Sequence, residues 1–496
     1  VSGARPNILF LMTDQHRVDT LPAYGNSTVQ TPAIDRIAGR GSVFERCYTP
    51  SAICTPARAS LLTGLHPFEH GLLSNYEWNS GHREELPDGV PTFSAALRDE
   101  GYALGHVGKW HVGRHRGPDA YGFEGRHLPG ALNPYDDEDY TAWLDEHGHP
   151  PFAAHDPVYT RAADGSRGHL IAARLAQPTE ATFEAYLADR AIEMLRRFAD
   201  DGRPFSLSLH YFGPHLPYLL PDEWYDRYDP SEVVLPASMS ETFAGKPEVQ
   251  RTYSAYWGAD SFDDAQWRKL TAVYWGYVAM IDHQYGRVLD ELDRLGLTDT
   301  TAVFATADHG EFTGAHRLND KGPAMYEDIY RIPGIVSIPG GVPGRRAEFV
   351  NLLDFTATIL DLAGAPTAGC RGRSLLPLLS GGGGGEPADG WRDELIAEFH
   401  GHHFSYAQRM LRTDRHKLVV NPEGIDEFYD LDADPHELHN AIDVPRHAAT
   451  VSDLRLRLYR ELVARGDRFA QWLAFRGGIP ESERVRPETA VEARIG

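Results

Sequence analysis

From Ile8 to Met12 every residue is apolar, and the run, which opens at Asn7 behind Pro6, stops at the polar Asp14-Gln15-His16. A short apolar run without alternation suits a strand covered on both faces, as in the middle of a parallel sheet. A buried helix segment would look the same; the shortness and the preceding proline favour the strand. Strands are also predicted over Tyr102–Val107, Phe205–Leu209 and Thr301–Ala307. Each ends in a polar cluster: Gly108-Lys109-Trp110-His111, the stretch from His210 to His215, and Asp308-His309-Gly310. Elsewhere the period changes to three and four. Phe183, Tyr186, Leu187, Ile192 and Leu195 predict a helix over Glu180–Phe198. Val278, Ile281, Tyr285, Val288, Leu289, Leu292 and Leu295 predict another over Tyr274–Leu295. Shorter helices are predicted from Pro32 to Arg40 with Thr31 as cap, over Ala59–Thr63 behind the segment around Cys54, and over Thr92–Glu100.

Strands alternating with helices predict an α/β fold, a largely parallel central sheet flanked by helices. The polar clusters all follow strands, at the sheet edge where ligands bind in such folds. Gly381–Gly385, followed by Glu386-Pro387, reads as a flexible surface loop. Beyond it, Glu394–Phe399 and His416–Val420 read as strands, and Leu454 to Leu462 as a helix that Ser452 or Asp453 can cap. The expected organisation is a catalytic domain over 1–380 and a smaller C-terminal α+β subdomain over 388–496. There is no internal repeat.

Composition narrows the function. The chain has 496 residues, enough for roughly three domains of about 150 residues, or one large core with a satellite. With 71 acidic against 48 basic residues the net charge is −23, which argues against non-specific binding to nucleic acid or to an anionic membrane. Three cysteines, Cys47, Cys54 and Cys370, cannot make a disulfide scaffold. No apolar run approaches the roughly 18 residues of a membrane span. The first strand starts almost at once, so no signal peptide and a cytoplasmic location are expected; Val1 in place of methionine leaves an upstream export signal open.

Asp14 and the Asp308-His309 pair both follow strands, and they can converge if those strands are close in the sheet. Mostly oxygen donors favour one divalent cation such as Ca2+ or Mg2+, and the histidine brings in Mn2+. Taken singly, either aspartate also reads as a turn or cap residue. Cys54 reads as a buried structural cysteine, or as a nucleophile activated by a helix start and Arg58. Asn75, in Ser74-Asn75-Tyr76-Glu77-Trp78, is a candidate substrate hydrogen bonder. Tyr76 and Trp78 can face a cationic or aromatic leaving group, or pack within their loop.

The Cys-x-Pro-x-Arg pattern of Cys54, Pro56 and Arg58, followed by Ala59-Ser60-Leu61-Leu62-Thr63-Gly64, resembles the signature of the formylglycine-dependent sulfatases. Other segments accompany it in that family's order. Asp14 closes the first strand, followed by Gly108-Lys109-Trp110-His111, by His215 in Pro214-His215-Leu216-Pro217, and by Asp308-His309-Gly310 and Lys321. Tyr429-Asp430-Leu431 with Asp434-Pro435-His436-Glu437-Leu438-His439-Asn440 resembles the family's C-terminal signature, so the likeness covers residues 6–440. Gln15 and His309 stand where many members carry aspartate and asparagine. That pattern is similar to the branch holding choline sulfatases and phosphonate monoester hydrolases.

The resemblance implies an alkaline-phosphatase-like fold and hydrolysis of a small sulfate monoester. It implies that a maturation enzyme oxidises Cys54 to formylglycine, whose hydrated aldehyde is the nucleophile. The metal falls to Asp14, Gln15, Cys54, Asp308 and His309, with Arg58, Lys109, His111, His215 and Lys321 around the sulfate. Lys109 and Lys321 neutralise its oxygens, His215 or Lys321 protonates the leaving alcohol, and His111 takes the proton whose loss releases sulfate. Competing readings are a phosphonate monoester or phosphate diester hydrolase at the same site, a thiol enzyme using unmodified Cys54, and a binding protein on an inert scaffold.

Overall fold

A computed structural model describes residues 5–78, 80–128, 136–162, 164–381 and 390–485. The opening apolar run is the Asn7–Thr13 strand, hydrogen-bonded in parallel to Phe205–His210 on one side and Thr301–Ala307 on the other. It lies inside a seven-stranded sheet ordered Gly344–Asn351, Ser42–Tyr48, Gly334–Ser337, Thr301–Ala307, Asn7–Thr13, Phe205–His210, Ala103–Gly108. Gly334–Ser337 alone among these runs against its neighbours.

Both faces of the sheet are covered, so that even Ser206, Ser208 and His210 on one face of the Phe205–His210 strand are buried. Leu9 and Leu11 pack with Leu207, Leu209 and Val303 into the cluster that includes the Phe183–Asp201 and Asp264–Arg294 helices. Ile8, Phe10 and Met12 point the other way, into a cluster with Phe304 and with the Cys54–Thr63 and Leu352–Ala363 helices. The period-two alternation of the strand divides one apolar run between two cores. Each fully buried side chain of this kind contributes about 1.5–3 kcal/mol.

Several boundaries and caps differ from the sequence expectations; the helix expected over Glu180–Phe198, for one, spans Phe183–Asp201. The long helix starts at Asp264, where Asp263 and Gln266 form a capping box, and its packing face already includes Trp267 and Leu270. Thr31 does not cap the Pro32–Arg40 helix with its side chain. The buried Asp282 carboxylate does so from the long helix, accepting from the Ala33 and Ile34 amides at 2.9 and 2.8 Å, and burial pushes that carboxyl up to about 7. The C-terminal helix spans Ala448–Ala464, so Ser452 and Asp453 lie inside it and cap nothing.

Beyond the main sheet, Glu394–Gly401, Ser405–Thr413, His416–Val420 and Glu427–Asp430 form an antiparallel sheet. The second and fourth strands carry buried charge and so lack an apolar signal: Arg409 pairs with Asp467 at 2.6 Å, and Glu427 is buried. Leu395, Ala397, Met410 and Val419 join the main core; Ile396, Leu411, Leu418 and Phe428 pack with Leu454, Leu458 and Leu462. A further sheet, Ala154–Arg161, Arg167–Leu175 and Tyr218–Pro221, was not expected from the sequence. The glycine-rich segment from 382 to 389, with the expected domain start at 388, lies outside the described residues. Among the described residues, no helix is long and apolar enough to cross a membrane.

Candidate active site

Thr13 and Ala307 are register partners at the ends of adjacent parallel strands, so Asp14 and Asp308 leave the sheet side by side. Oxygen atoms of their carboxylates, the Cys54 sulfur and a His309 ring nitrogen lie within 4.8 Å of one another, and all four residues are buried. Cys54 and Arg58 are one turn apart on the Cys54–Thr63 helix and share a face. The Arg58 guanidinium contacts Asp14 at 2.9 Å and Asp308 at 2.8 Å. Lys109 Nζ lies 2.5 Å from Asp14 Oδ2. Gly108 makes room for this approach: with φ +95°, a Cβ there would lie 1.9 Å from the His210 carbonyl oxygen.

Burial works against charge on both aspartates. At Asp14, Lys109 and Arg58 outweigh burial and the neighbouring Cys54 and hold the carboxyl well below its ordinary value. At Asp308, burial and the adjacent Asp14 prevail and raise it. His309 Nδ1 lies 2.8 Å from the Gly310 carbonyl oxygen, which leaves Nε2 3.2 Å from the Cys54 sulfur. Burial opposes its charge, but Asp308 and Cys54 raise it to about 9. Burial would also raise the Cys54 thiol; Lys109, Lys321 and His309 reverse this and hold it well below its ordinary range. At the buried Cys47, burial and Asp354 outweigh the single cation Arg331 and raise the thiol well above that range.

A second ring of residues surrounds this cluster. Lys321 Nζ lies 2.7 Å from His215 Nε2 and donates to Gln15 Oε1 at 2.9 Å and to Asp320 Oδ1 at 3.1 Å. Gln15 Nε2 meets Glu311, and the Gln15 backbone N–H donates to Asp308 Oδ1 at 3.1 Å. The Gln15 side chain is thus committed to Lys321 and Glu311. His111 Nε2 lies 2.9 Å from Glu77 Oε1. Burial disfavours both charges, yet the pairing lowers Glu77 and raises His111. Asn75 Oδ1 accepts from the Thr55 amide at 3.0 Å, at a helix start that no side chain of Ile53 caps. Its amide nitrogen is the group it can offer a ligand. Tyr76 packs edge-on against His111, with ring centroids 5.0 Å apart. The side chain of Trp78 lies outside the described residues.

Cys54, Asn75, Lys109, His111, His215 and Lys321 all line one cavity of about 250 Å3. Cavities of about 400 and 500 Å3 open elsewhere without such a donor cluster, so chemistry and not volume selects this one. Two carboxylates and an imidazole beside Cys54 suit a hard or borderline divalent cation. The flanking arginine, lysines and histidines suit a small oxyanion.

Sequence reasoning did not single out Glu77, Glu311, Asp320 or His402. Glu77 stood in the Asn75 segment, where only the aromatic neighbours were weighed. Glu311 follows Asp308-His309-Gly310; it accepts from the Thr313 and Asp320 amides at 3.0 and 2.7 Å, and burial pushes it up to about 8. Asp320 precedes Lys321 and lies 3.3 Å from His402 Nε2. Nothing local marks His402, which comes from the C-terminal sheet.

Residues 6–365 match the family described as Sulfatase, and residues 314–464 match the one described as N-sulphoglucosamine sulphohydrolase, C-terminal. The choline-sulfatase of Rhizobium meliloti is 28% identical over 499 residues, covering 98% of this chain and 91% of that protein. A multifunctional alkaline phosphatase superfamily protein of Trinickia caryophylli is 29% identical over 510 residues, covering 94% and 96%. The solved phosphonate monoester hydrolase of Silicibacter pomeroyi superposes with a TM-score of 0.77 at 26% identity, covering 93% of this chain and 96% of that one.

Proposed function

The chain belongs to the sulfatase family, a sulfuric ester hydrolase, and from that premise we propose that it converts a small sulfate monoester to an alcohol and inorganic sulfate, using formylglycine made from Cys54 and one divalent cation. The observation that carries this reading is the convergence of Asp14, Asp308 and His309 on Cys54, with Arg58, Lys109 and Lys321 beside them.

Asp14, Asp308 and His309 would hold the cation, and it supplies Lewis-acid charge against the ester oxygens. Gln15 can join them by exchanging its bond from Lys321. The formyl group supplies, as its hydrate, a nucleophilic hydroxyl and a second hydroxyl through which sulfate can leave. Arg58 fixes both carboxylates and offsets their charge. Lys109 and Lys321 face the cavity and balance the charge of the sulfate oxygens. The Lys321–His215 pair, 2.7 Å apart, stands ready to donate a proton to the leaving oxygen. His111, steadied by Glu77, receives the proton whose removal releases sulfate. Ca2+, Mn2+ and Mg2+ all fit the donors.

The second reading is a phosphonate monoester or phosphate diester hydrolase at the same residues. Gln15 favours it, because it spares the site the additional carboxylate charge of the common sulfatase pattern. A maturation enzyme acting on Cys54, a cytoplasmic location, and a division into 1–380 and 388–496 belong to the same proposal.

The test is chemical. Trypsin should release Cys47–Arg58 as one peptide, with an aldehyde mass at Cys54 and an alkylatable Cys47. C54A and C54S should lose turnover and keep the fold. Activity should track the aldehyde fraction, and full activity without detectable aldehyde would refute the mechanism in favour of a thiol enzyme.

A further inference from the structure

We propose that Asp320, His402 and His403 bind a second divalent cation, of the zinc class, in the wall of the catalytic cavity, and that its binding inhibits turnover. Donor atoms of these three residues lie within 4.8 Å of one another, and Asp320 Oδ2 is 3.3 Å from His402 Nε2. A tetrahedral zinc ion with bonds of about 2.0 Å spaces its ligands by about 3.3 Å. Asp320 divides its oxygens: Oδ1 accepts from Lys321 at 3.1 Å, and Oδ2 faces the imidazole of His402. One carboxylate with two imidazoles is a softer donor set than the two carboxylates and one imidazole of Asp14, Asp308 and His309, so it prefers zinc to calcium.

The fold presents this set as a unit. His402 and His403 occupy the tip of the hairpin between Glu394–Gly401 and Ser405–Thr413, where the register shifts between Phe399 and Gly401. Gly401 has φ +126°, and a Cβ there would lie 2.3 Å from the Phe404 carbonyl oxygen, so the turn closes only around glycine. The two imidazoles lie with centroids 4.0 Å apart. His403 is wedged against Tyr253 and Tyr256, at 5.8 and 4.9 Å between ring centroids. All three donors line the cavity that contains Cys54 and Lys321. Three protein ligands leave a tetrahedral ion one position. In a cavity of about 250 Å3, an ion here takes space the leaving group needs and sets a dication near the Lys321 ammonium. The inhibition, though not the binding, rests on the sulfate-ester reading above.

Calcium-loaded protein, incubated with zinc and freed of excess by gel filtration, should carry about one zinc ion per chain that H402A/H403A lacks, with calcium equal in both. H403Q, a gentler change at the hairpin tip, should also lose it, whereas D14N should keep it. Cobalt offered to the wild type should give the visible absorption of a tetrahedral site, which needs no variant. Zinc should cut wild-type sulfate-ester turnover at least about tenfold and leave the turnover of H402A/H403A, measured against its own zinc-free value, within about twofold. Equal zinc in wild type and both histidine variants, or no cobalt absorption, would overturn the site. Zinc that binds there without slowing turnover would overturn the inhibition. If aldehyde-bearing protein hydrolyses no sulfate ester at all, the functional reading falls and the metal count still decides the site.

Discussion

Replacing Arg58 with methionine tests how the buried charges are balanced. Arg58 and both aspartates are essentially inaccessible, with side-chain exposures of 1%, 0% and 0%. Removing one partner of a buried ion pair costs about 3–5 kcal/mol, because the remaining charge stays desolvated. Asp14 keeps Lys109 at 2.5 Å, whereas Asp308 keeps His309, at 3.7 Å, as its charged partner, beside the Gln15 and His309 amides on Oδ1. The unpaired charge therefore falls on Asp308, and the low end, about 3 kcal/mol, applies. At about 2.1 cal/mol/K per residue, a chain of 496 residues has an unfolding entropy near 1 kcal/mol/K, so Tm should fall by about 3 °C in chelator. The carboxyl of Asp308 is already raised, and loss of Arg58 raises it further. An acid that binds protons more tightly when folded gains stability as pH falls, so the deficit should shrink from a higher to a lower pH. A divalent cation should restore more stability to the variant than it adds to the wild type. Scanning calorimetry with chelator and with calcium, at both pH values, measures all three effects. An unchanged Tm in chelator, or a deficit that grows as pH falls, would refute this account of the cluster.

Metal analysis of purified protein should find one divalent ion per chain, lost in D14A and D308A; full activity after verified removal of all metal would contradict the assignment. A sulfate monoester should exceed a phosphonate monoester and a phosphate diester in kcat/KM, and a tenfold preference for the phosphonate, about 1.4 kcal/mol of transition-state energy, would promote the second reading. Glu77→Gln removes the partner that raises His111, so the imidazole becomes neutral at lower pH and the acidic limb of the rate profile should move down. Its kcat should also fall by roughly tenfold or more through lost orientation, and an unmoved acidic limb would exclude His111 as the base.

The sequence by itself determined the local chemistry. The apolar run after Pro6 read as a covered strand, the period of Val278 to Leu292 read as a helix, and Cys54, Pro56 and Arg58 carried a family signature legible without coordinates. It placed Asp14, Lys109, His215 and Asp308 after strands, but it could not show that those strands are neighbours. Strand order decided that, by putting Asn7–Thr13 between Phe205–His210 and Thr301–Ala307. Tertiary structure likewise decided that Asp282 caps a distant helix, that Glu77 holds His111, and that His402 comes from the C-terminal sheet to face Asp320. Hydrophobic period is a property of neighbouring residues, so it is written along the chain. A buried charge finds its partner across the fold, and the low dielectric that makes the pairing necessary exists only once the sheets and helices have closed around it.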